Sequence, residues 1–392
     1  MKLSIKYKLL PVIIIGIVLV AAVFFVLALD LQKEHLDRMS LDSVQTAKKT
    51  FYNLVESDNK MLKAAMTDFM TNQEFKDVYL KNDRNQLAQL GKGLFEQHKA
   101  MGLTHFYFHQ ADGTTFLRLH NPKLFGDKVK RKTFAAAKTA NSWGTGIELG
   151  KTAFALRVVH PYYNKDSLIG YIEYGEEIDH FLRLMKTISG RNYAILVENQ
   201  LIDPMDWATV SRATGAPSYF SIPNYVMVDS TSELTPEYQR QCLSESQLKS
   251  VAPEGSVFNK ILSGNRTLIC GGFPLLDAGG ARLGVVMVTD DVTELEHQTS
   301  QYNTKILGIA AAAVLLISLI LILLIHKIVI KPLTQIVDVT TRVAGGDFTA
   351  TVDVKSSDEI GELAELISGL RMMIADATRT IQQYYGGDQD KD

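Results

Sequence analysis

The sequence predicts an α+β segment held between two membrane-spanning helices and followed by a purely helical segment. Two apolar runs, residues 9–29 and 306–325, contain no charged side chain. A helix of about 20 residues rises 1.5 Å per residue and so matches the roughly 30 Å hydrocarbon core of a bilayer. Between the runs, paired strand patterns alternate with helical patterns, and heptad spacing follows the second run.

Basic residues flank both apolar runs on the sides that face away from the central segment. They are Lys2, Lys6, Lys8, His326, Lys327 and Lys331. The positive-inside rule therefore places residues 1–8 and the segment after residue 325 in the cytoplasm, and residues 30–304 outside. The first run is longer than the about 7 to 15 apolar residues of a signal peptide, and no small-residue cleavage site precedes Asp30. We expect a multi-pass protein of the bacterial cytoplasmic (inner) membrane.

Length and charge limit the classes of function. The chain has 392 residues and a net charge of −2, which allows two or three domains and lacks the basic excess typical of nucleic-acid binding. The external segment of about 275 residues is large enough to bury a core. About 65 residues follow residue 325, too few for a kinase, cyclase or chemotaxis-type domain, so we expect another protein to supply the output.

The external segment begins with a long helix and continues with hairpins. Residues 31–70 carry apolar side chains at helical spacing with few breakers, which predicts a stalk. An Asp-Gly turn at residues 112–113 predicts a hairpin with Phe106 and Phe108 on one face of its first strand. A second hairpin is predicted around residues 164–166.

The pattern of the second hairpin occurs twice. Residues 158–178 and 271–292 each contain a proline, two apolar or aromatic residues, a polar turn, a glycine and a strand ending in two acids. The matching residues are Pro161 and Pro274, then Gly170 and Gly284. A repeat at about 113 residues predicts two sequential modules of one fold. Coincidental similarity between two hairpins is the alternative.

Cys242 and Cys270 are the only cysteines, and both lie in the external segment. An oxidising compartment would join them in a disulfide. The alternative is two small buried residues without a bond. No second pair of Cys or His stands at ligand spacing, so we expect no metal site.

Three runs resemble the double Cache sensor domains of bacterial receptors, most closely the type found as a double sensory domain. They are FLRLHNPKLFGDKVKRKTF (116–134), GIELGKTAFALRVVHPYY (146–163) and IGYIEYGEEI (169–178). The resemblance covers most of residues 31–300 and implies two tandem PAS-like modules on the long helix. The distal module would span about 75–188 and the proximal module about 189–300, with a small-molecule pocket in the distal one.

Four basic residues are candidates for that pocket. Arg118 and His120 lie two apart on a predicted strand, so we expect them to share a face with Phe116. Arg131 and Arg157 lie in segments that the family fold would bring near this sheet. A face with several guanidinium groups suits a carboxylate or other small anion.

The alternative is a salt-bridged sheet face without a ligand, in which Glu148, Glu173 or Asp127 supplies the counter-charge. An enzyme is not expected, because no paired carboxylate, nucleophile elbow or H-E-x-x-H helix accompanies the histidines of this segment. We therefore predict neither catalytic residues nor a cofactor.

The segment after the second apolar run is predicted to dimerise. Residues 360–381 carry apolar side chains in 3-4 alternation over about three heptads, as in a coiled-coil seam. Two short amphipathic helices cannot bury such stripes alone, so a homodimer is expected. A generic coiled coil is one explanation, but residues 327–381 also resemble a HAMP linker. The matching features are Pro332, the connector Gly345-Gly346-Asp347-Phe348, and Asp358-Glu359-Ile360-Gly361-Glu362-Leu363.

The HAMP resemblance implies a parallel four-helix bundle that switches between two packings, with a polar tail at residues 382–392. The residues expected to relay the signal are Pro332, Gly346, Asp347, Glu359 and Gly361. The whole chain is thus predicted to be a receptor that senses a small extracytoplasmic ligand and signals to a separate histidine kinase, chemotaxis protein or cyclase. The alternative is a ligand-capturing or scaffold membrane protein, or the remnant of a receptor without its output domain.

Overall fold

The computed structural model describes residues 5–150, 154–202, 221–222, 224–231 and 241–386. The chain divides into a compact unit, Glu34–Gln298, and a second unit made of the segments on either side of it. The helices are α1 (Ile5–Met70), α2 (Gln73–Leu80), α3 (Arg84–Lys99), α4 (Lys132–Ala140), α5 (Asp179–Ser189), α6 (Glu245–Lys249), α7 (Thr293–Ile325), α8 (Lys331–Ala344) and α9 (Glu359–Gly386).

Eleven strands complete the described part of the chain. They are β1 (His105–Gln110), β2 (Thr115–Arg118), β3 (Gly144–Leu149), β4 (Phe154–Asn164), β5 (Ser167–Glu177), β6 (Asn192–Glu198), β7 (Ser221–Ile222), β8 (Tyr225–Ser230), β9 (Ser256–Ser263), β10 (Arg266–Leu276) and β11 (Arg282–Asp291). They form two antiparallel sheets, which we call the first module (β1 to β5) and the second module (β6 to β11). The predicted α+β class is confirmed.

Helix α1 joins the predicted first span and the predicted stalk in one helix of 66 residues. Its buried stripe contacts both modules. The ring of Phe51 lies 5.7 Å from Phe273 in the second module and 5.8 Å from Phe181 in α5. Five turns further on, Phe69 lies 5.0 Å from Phe106 in the first module. The stalk is therefore part of the core.

Local capping explains where several helices begin. Asn72 accepts a hydrogen bond from the backbone N–H of Glu74 at 3.0 Å and starts α2. Asp83 does the same for α3 through Gln86. Ser244 forms a capping box with the glutamine three residues later at the start of α6. These side chains satisfy backbone donors that a helix terminus otherwise leaves free.

The first sheet has the strand order β2-β1-β5-β4-β3. Side chains alternate between two faces, and cross-strand partners share a face. One face packs on the helices, and its buried members include Phe106, Phe108, Leu117, Leu156, Val158, Ile172 and Tyr174. Tyr107, Glu173 and Val159 pair in register on the opposite face, which we call the polar face.

The second sheet repeats this topology. Its order β8-β6-β11-β10-β9 matches that of the first sheet strand for strand, with β7 added at the edge. In both hairpins the proline pairs with the residue that follows the matching glycine of the repeat: Pro161 pairs with Tyr171, and Pro274 pairs with Val285. In both, the register shifts just beyond the residue that follows the proline. The two hairpins are thus equivalent parts of one repeated fold.

The sulfur atoms of Cys242 and Cys270 are joined in a disulfide, with a Cα–Cα distance of 5.8 Å. Both residues are fully buried in an apolar cluster that also contains Leu248 and Met287. The bond closes a loop that spans 28 positions of sequence. It ties strand β10 to the segment before α6 in the core of the second module.

Reduction of this bond should destabilise the sensor segment. In the chain-entropy view, a loop of this length stabilises the folded state by about 3 kcal/mol. We expect reductant to lower the thermal unfolding midpoint of the detergent-solubilised chain by at least about 6 °C. The double variant Cys242→Ser, Cys270→Ser should have the low midpoint with or without reductant. An unchanged wild-type midpoint under conditions that reduce the bond would contradict this.

The flanking unit contains the apolar parts of α1 and α7, which among the described residues are the two helices long and apolar enough to cross a membrane. In residues 11–29 and 306–325 no side chain is buried within the chain. A π-helical segment, His326–Ile330, separates α7 from α8. Pro332 lies in the first turn of α8, directly after this segment.

Candidate functional site

A buried acid organises the polar face of the first sheet. The side chain of Glu173 is fully buried on β5. Its Oε1 accepts hydrogen bonds from Nη1 of Arg157 at 2.6 Å and Nη1 of Arg131 at 2.8 Å. Its Oε2 accepts from Nε2 of His109 at 2.9 Å. We call these four residues the Glu173 cluster.

The electrostatics of the Glu173 cluster leave it cationic. Burial alone raises the pKa of the Glu173 carboxyl, but the charges of Arg131 and Arg157 and the hydrogen bond from His109 outweigh burial, so this pKa lies far below its ordinary value. Burial lowers the pKa of His109 and keeps it neutral, despite its bond to Glu173. Within these four residues two guanidinium charges therefore face one carboxylate, and Glu148 acts on both arginines from outside the cluster.

Two polar atoms of the Glu173 cluster have no hydrogen-bond partner in the described part of the chain. They are Nε of Arg157 and Nδ1 of His109. The Arg157 side chain is only 4% exposed, whereas that of Arg131 is 24% exposed. The cluster thus has one solvent-facing guanidinium above a buried one.

Arg118 is satisfied by a different acid. Its Nη1 and Nη2 donate to Oδ1 and Oδ2 of Asp127 at 2.8 and 2.7 Å, and Nη1 also donates to the carbonyl of Leu124. The hydrogen bond from Arg118 holds the pKa of Asp127 below its ordinary value. This bidentate pair fixes the segment after β2 over the polar face.

Tyr107 is the common neighbour of all three guanidinium groups. Its ring centroid lies 4.8 Å from Cζ of Arg131, 5.3 Å from Arg118 and 5.7 Å from Arg157. Arg131 also donates from Nη2 to the Tyr107 hydroxyl at 3.2 Å. Such positions over an aromatic face stabilise a cation by about 0.5 to 2 kcal/mol.

Two histidines border Tyr107. The ring of His120 lies 4.8 Å from Tyr107 and 4.7 Å from His105. Its Nδ1 accepts a hydrogen bond from the backbone N–H of Phe106 at 3.2 Å. Burial, followed by neighbouring cations, lowers the pKa of His120 to about 4 and that of His105 to about 3. Both are neutral at physiological pH.

The structure thus gathers all four predicted pocket residues around Tyr107, together with two of the three acids named as counter-ions. The third acid, Glu148, accepts the backbone N–H of Thr133 at 2.6 Å, and burial raises its pKa. Whether the four residues bind a ligand stays a prediction. Sequence reasoning placed Phe106 and Phe108 on the opposite face but missed the central position of Tyr107, which depends on cross-strand register.

One predicted placement is wrong. Strand β2 ends at Arg118, and a register shift opposite Phe108 inserts Phe116 as an extra residue. Phe116 therefore does not share the face of Arg118 and instead contacts the Tyr79 ring at 5.2 Å on the helical side. A β-bulge of this kind reverses side-chain alternation.

An open groove of about 750 Å³ lies beside the Glu173 cluster. It is lined by residues 127–132, by Glu148 to Gly150, and by Leu201, Ile202, Asp277 and Leu283 of the second module. Lys132 pairs with Asp277 across it. Arg131 is the member of the cluster that reaches this groove.

Two of the predicted relay residues, Gly346 and Asp347, lie in the connector that follows α8 in the flanking unit. Asp347 accepts hydrogen bonds from Nη2 of Arg342 at 2.6 Å and from the backbone N–H of Thr349 at 3.0 Å. Gly346 adopts a φ of +94°, a conformation that favours glycine. These contacts hold the turn that ends α8.

The start of α9 is equally constrained. Asp358 accepts the backbone N–H groups of Ile360 and Gly361 at 3.0 and 3.2 Å. A Cβ at Gly361 would collide with the carbonyl oxygen of Ser356. Glu359 is the first residue of the helix, where its negative charge interacts favourably with the helix dipole. The role of these residues in signalling stays a prediction.

Family comparison agrees with this architecture. Residues 38–295 match the model of dCache_3, described as the double sensory domain of two-component sensor kinase. The chain belongs to the dCache_3 family. Residues 324–375 of this dCache_3 protein match the HAMP domain. Both predicted resemblances are confirmed.

Two curated bacterial proteins are similar in sequence to part of this chain. The methyl-accepting chemotaxis protein McpA of Bacillus subtilis is 30% identical over 103 residues, which are 26% of this chain and 15% of McpA. The sensor protein kinase WalK of Staphylococcus saprophyticus is 29% identical over 104 residues, 26% of this chain and 17% of WalK. The chain therefore aligns with less than a fifth of either relative.

Solved sensor domains are similar at low identity. The sensor domain of the Vibrio cholerae histidine kinase DctB has a TM-score of 0.41 at 14% identity and covers 65% of this chain and 98% of its own. The sensory domain of the Campylobacter jejuni chemoreceptor Tlp3, with isoleucine bound, has a TM-score of 0.40 at 10% identity, covering 66% and 94%.

Substitution Glu173→Gln should destabilise the first module. It keeps the shape of the side chain but leaves the buried guanidinium of Arg157 without a counter-charge, which costs about 3 to 5 kcal/mol. Asp127→Asn is the matched control, because the Asp127 side chain is 55% exposed and such a pair contributes about 1 kcal/mol or less. Urea unfolding of both variants measures the difference.

Unfolding of the wild type and of Glu173→Gln over a range of pH tests the pKa of Glu173. A carboxyl whose pKa is lower in the folded state stabilises the fold above its unfolded pKa of about 4.3 and loses that contribution as the pH falls below this value. The stability gap between wild type and Glu173→Gln should be full above about pH 5 and narrow below it. A gap that widens in acid would show that Glu173 is protonated in the fold.

Proposed function

We propose that this dCache_3 protein is a transmembrane receptor that binds a small anion, such as a carboxylate, at the polar face of its first module. The observation that carries the proposal is the cationic excess of the Glu173 cluster beside an open groove. A buried charge without a full counter-charge is costly, and an anionic ligand removes that cost.

Asp127 offers a route for the ligand to change the structure. Its carboxylate occupies the bidentate fork of Arg118, which is the contact that a ligand carboxylate would make. A ligand that displaces Asp127 would release the segment after β2 from the polar face. Arg131, four residues beyond Asp127, would move toward the same ligand.

The proposed relay follows the chain from the first module to the second span. Helix α1 packs on both modules through Phe69 and Phe51, and β11 is followed by α7 after a single residue. A ligand that favours one arrangement of the sheets by 1 to 3 kcal/mol shifts the populations about 5- to 150-fold. Movement of β11 would thus be passed to α7 and on to the HAMP domain.

The HAMP domain is proposed to work as a homodimer. In the single chain the seam side chains Leu363, Leu370, Ile374 and Ile381 are exposed. A second copy would bury them in a parallel four-helix bundle. The proposed receptor lies in the bacterial inner membrane with both termini in the cytoplasm, and its effector is a kinase or chemotaxis protein, as the names of WalK and McpA suggest.

Ligand binding should depend on Arg118. Small carboxylates and amino acids are screened by thermal shift with the detergent-solubilised chain. Arg118→Ala should abolish the midpoint shift produced by the ligand found in the screen, because the fork that receives its carboxylate is lost. Arg183→Ala is the matched control, since Arg183 forms an exposed pair with Asp179 on α5. An unchanged shift in Arg118→Ala would refute the site.

The proposed dimer is tested by cross-linking in membranes. Leu370→Cys lies on the heptad seam, and Glu365→Cys lies on the outer side of the same helix. Both native cysteines are held in the disulfide, so the new thiol reports alone. We expect rapid oxidation to a covalent dimer for Leu370→Cys and little for Glu365→Cys. Equal rates would argue against a parallel bundle.

A further inference from the structure

A second polar cluster lies apart from the Glu173 cluster, where α1, β5 and α5 meet. It consists of Asp58 on α1, Glu176 near the end of β5 and His180 in the first turn of α5. Nε2 of His180 lies 3.2 Å from Oδ2 of Asp58 and 3.5 Å from Oε1 of Glu176. All three atoms fall within 4.8 Å of one another.

The backbone fixes which nitrogen of His180 faces the two acids. Nδ1 lies 2.9 Å from the carbonyl oxygen of Glu177. A carbonyl only accepts, so Nδ1 carries a hydrogen. Nε2 then faces the acids, as a donor to Asp58 in the protonated ring and as a lone pair once that proton is lost. Metal-binding histidines in proteins are oriented by this kind of bond from the other ring nitrogen.

Glu176 supplies a second and independent observation. Its side chain is only 6% exposed, and its Oε2 is buried without a hydrogen-bond partner in the described part of the chain. Gly102 packs so closely against it that an added Cβ would collide with Oε1. A carboxyl group so enclosed is stable when it is protonated or when a cation pairs with it.

Protons and a metal ion are alternative ways of balancing the charges of this cluster. Without a metal, two protons neutralise the cluster, because the hydrogen bond to Asp58 raises the pKa of His180 and burial raises that of Glu176 to about 7. With both protons removed, the three side chains carry two negative charges. A divalent cation balances both. Ligands about 2.0 to 2.2 Å from a tetrahedral zinc ion lie about 3.4 Å from one another, close to the 3.2 and 3.5 Å measured around Nε2.

We propose that Asp58, Glu176 and His180 bind a divalent transition metal ion, with Zn²⁺ the best match to one imidazole and two carboxylates. Three protein ligands leave a fourth position for water. The ion would tie the long helix α1 to the end of the first sheet and to α5, which leads directly into β6. This site does not depend on the proposed anion site.

Metal binding is measured on the full chain, purified in detergent without a histidine tag and stripped with EDTA. Equilibrium dialysis against Zn²⁺ should give one ion per chain, and Zn²⁺ should raise the thermal unfolding midpoint. Co²⁺ should give the visible absorption bands of a site with low coordination number. Asp58→Asn and His180→Gln should each weaken Zn²⁺ binding by at least about 100-fold, beyond the 10- to 100-fold typical of losing an outer-shell partner.

Asp179→Asn is the matched control, because Asp179 precedes His180 but pairs with Arg183 outside the cluster. It should bind Zn²⁺ like the wild type. Thermal unfolding in EDTA identifies any variant that fails to fold. If one of the two ligand variants does not fold, the other one alone tests Zn²⁺ binding. The proposal is overturned if the wild type binds no stoichiometric Zn²⁺, or if folded Asp58→Asn and His180→Gln both retain its affinity.

Discussion

Both sheets of the sensor unit depend on one helix for the burial of an apolar face. A sheet with one apolar face is unstable in water until that face is covered. Helix α1 covers both sheets with a single stripe, in which Phe51 contacts Phe273 and Phe69 contacts Phe106. The two modules therefore share a core element, and a change in either sheet alters the packing of the same helix.

The helices cover one face of the first sheet, and the opposite face carries the polar and charged side chains. Tyr107 and Glu173 pair in register on that face, and the arginines approach them from β4 and from the segment before α4. Burying these charges opposes folding unless they are paired. Within the Glu173 cluster two guanidinium groups face one carboxylate, and the proposed anion would add a second negative charge.

Local pattern was sufficient for much of the architecture. Turn residues identified both hairpins of the first module, and the repeated proline and glycine positions identified the second module. The face assignment of Phe106 and Phe108 followed from strand alternation alone. Alternation failed at Phe116, because a bulge depends on pairing with the neighbouring strand and leaves no mark in composition.

The sequence by itself determined the spans, the order of the elements, the repeat and the four basic candidates, because these depend on composition and on periods of two, 3.6 and seven residues. Tertiary structure alone decided which acid meets which base. Asp58 and His180 are 122 residues apart, and Arg131 and Glu173 are 42 apart. Such contacts are set by sheet register and helix packing, and neither is encoded in the spacing of the residues that meet.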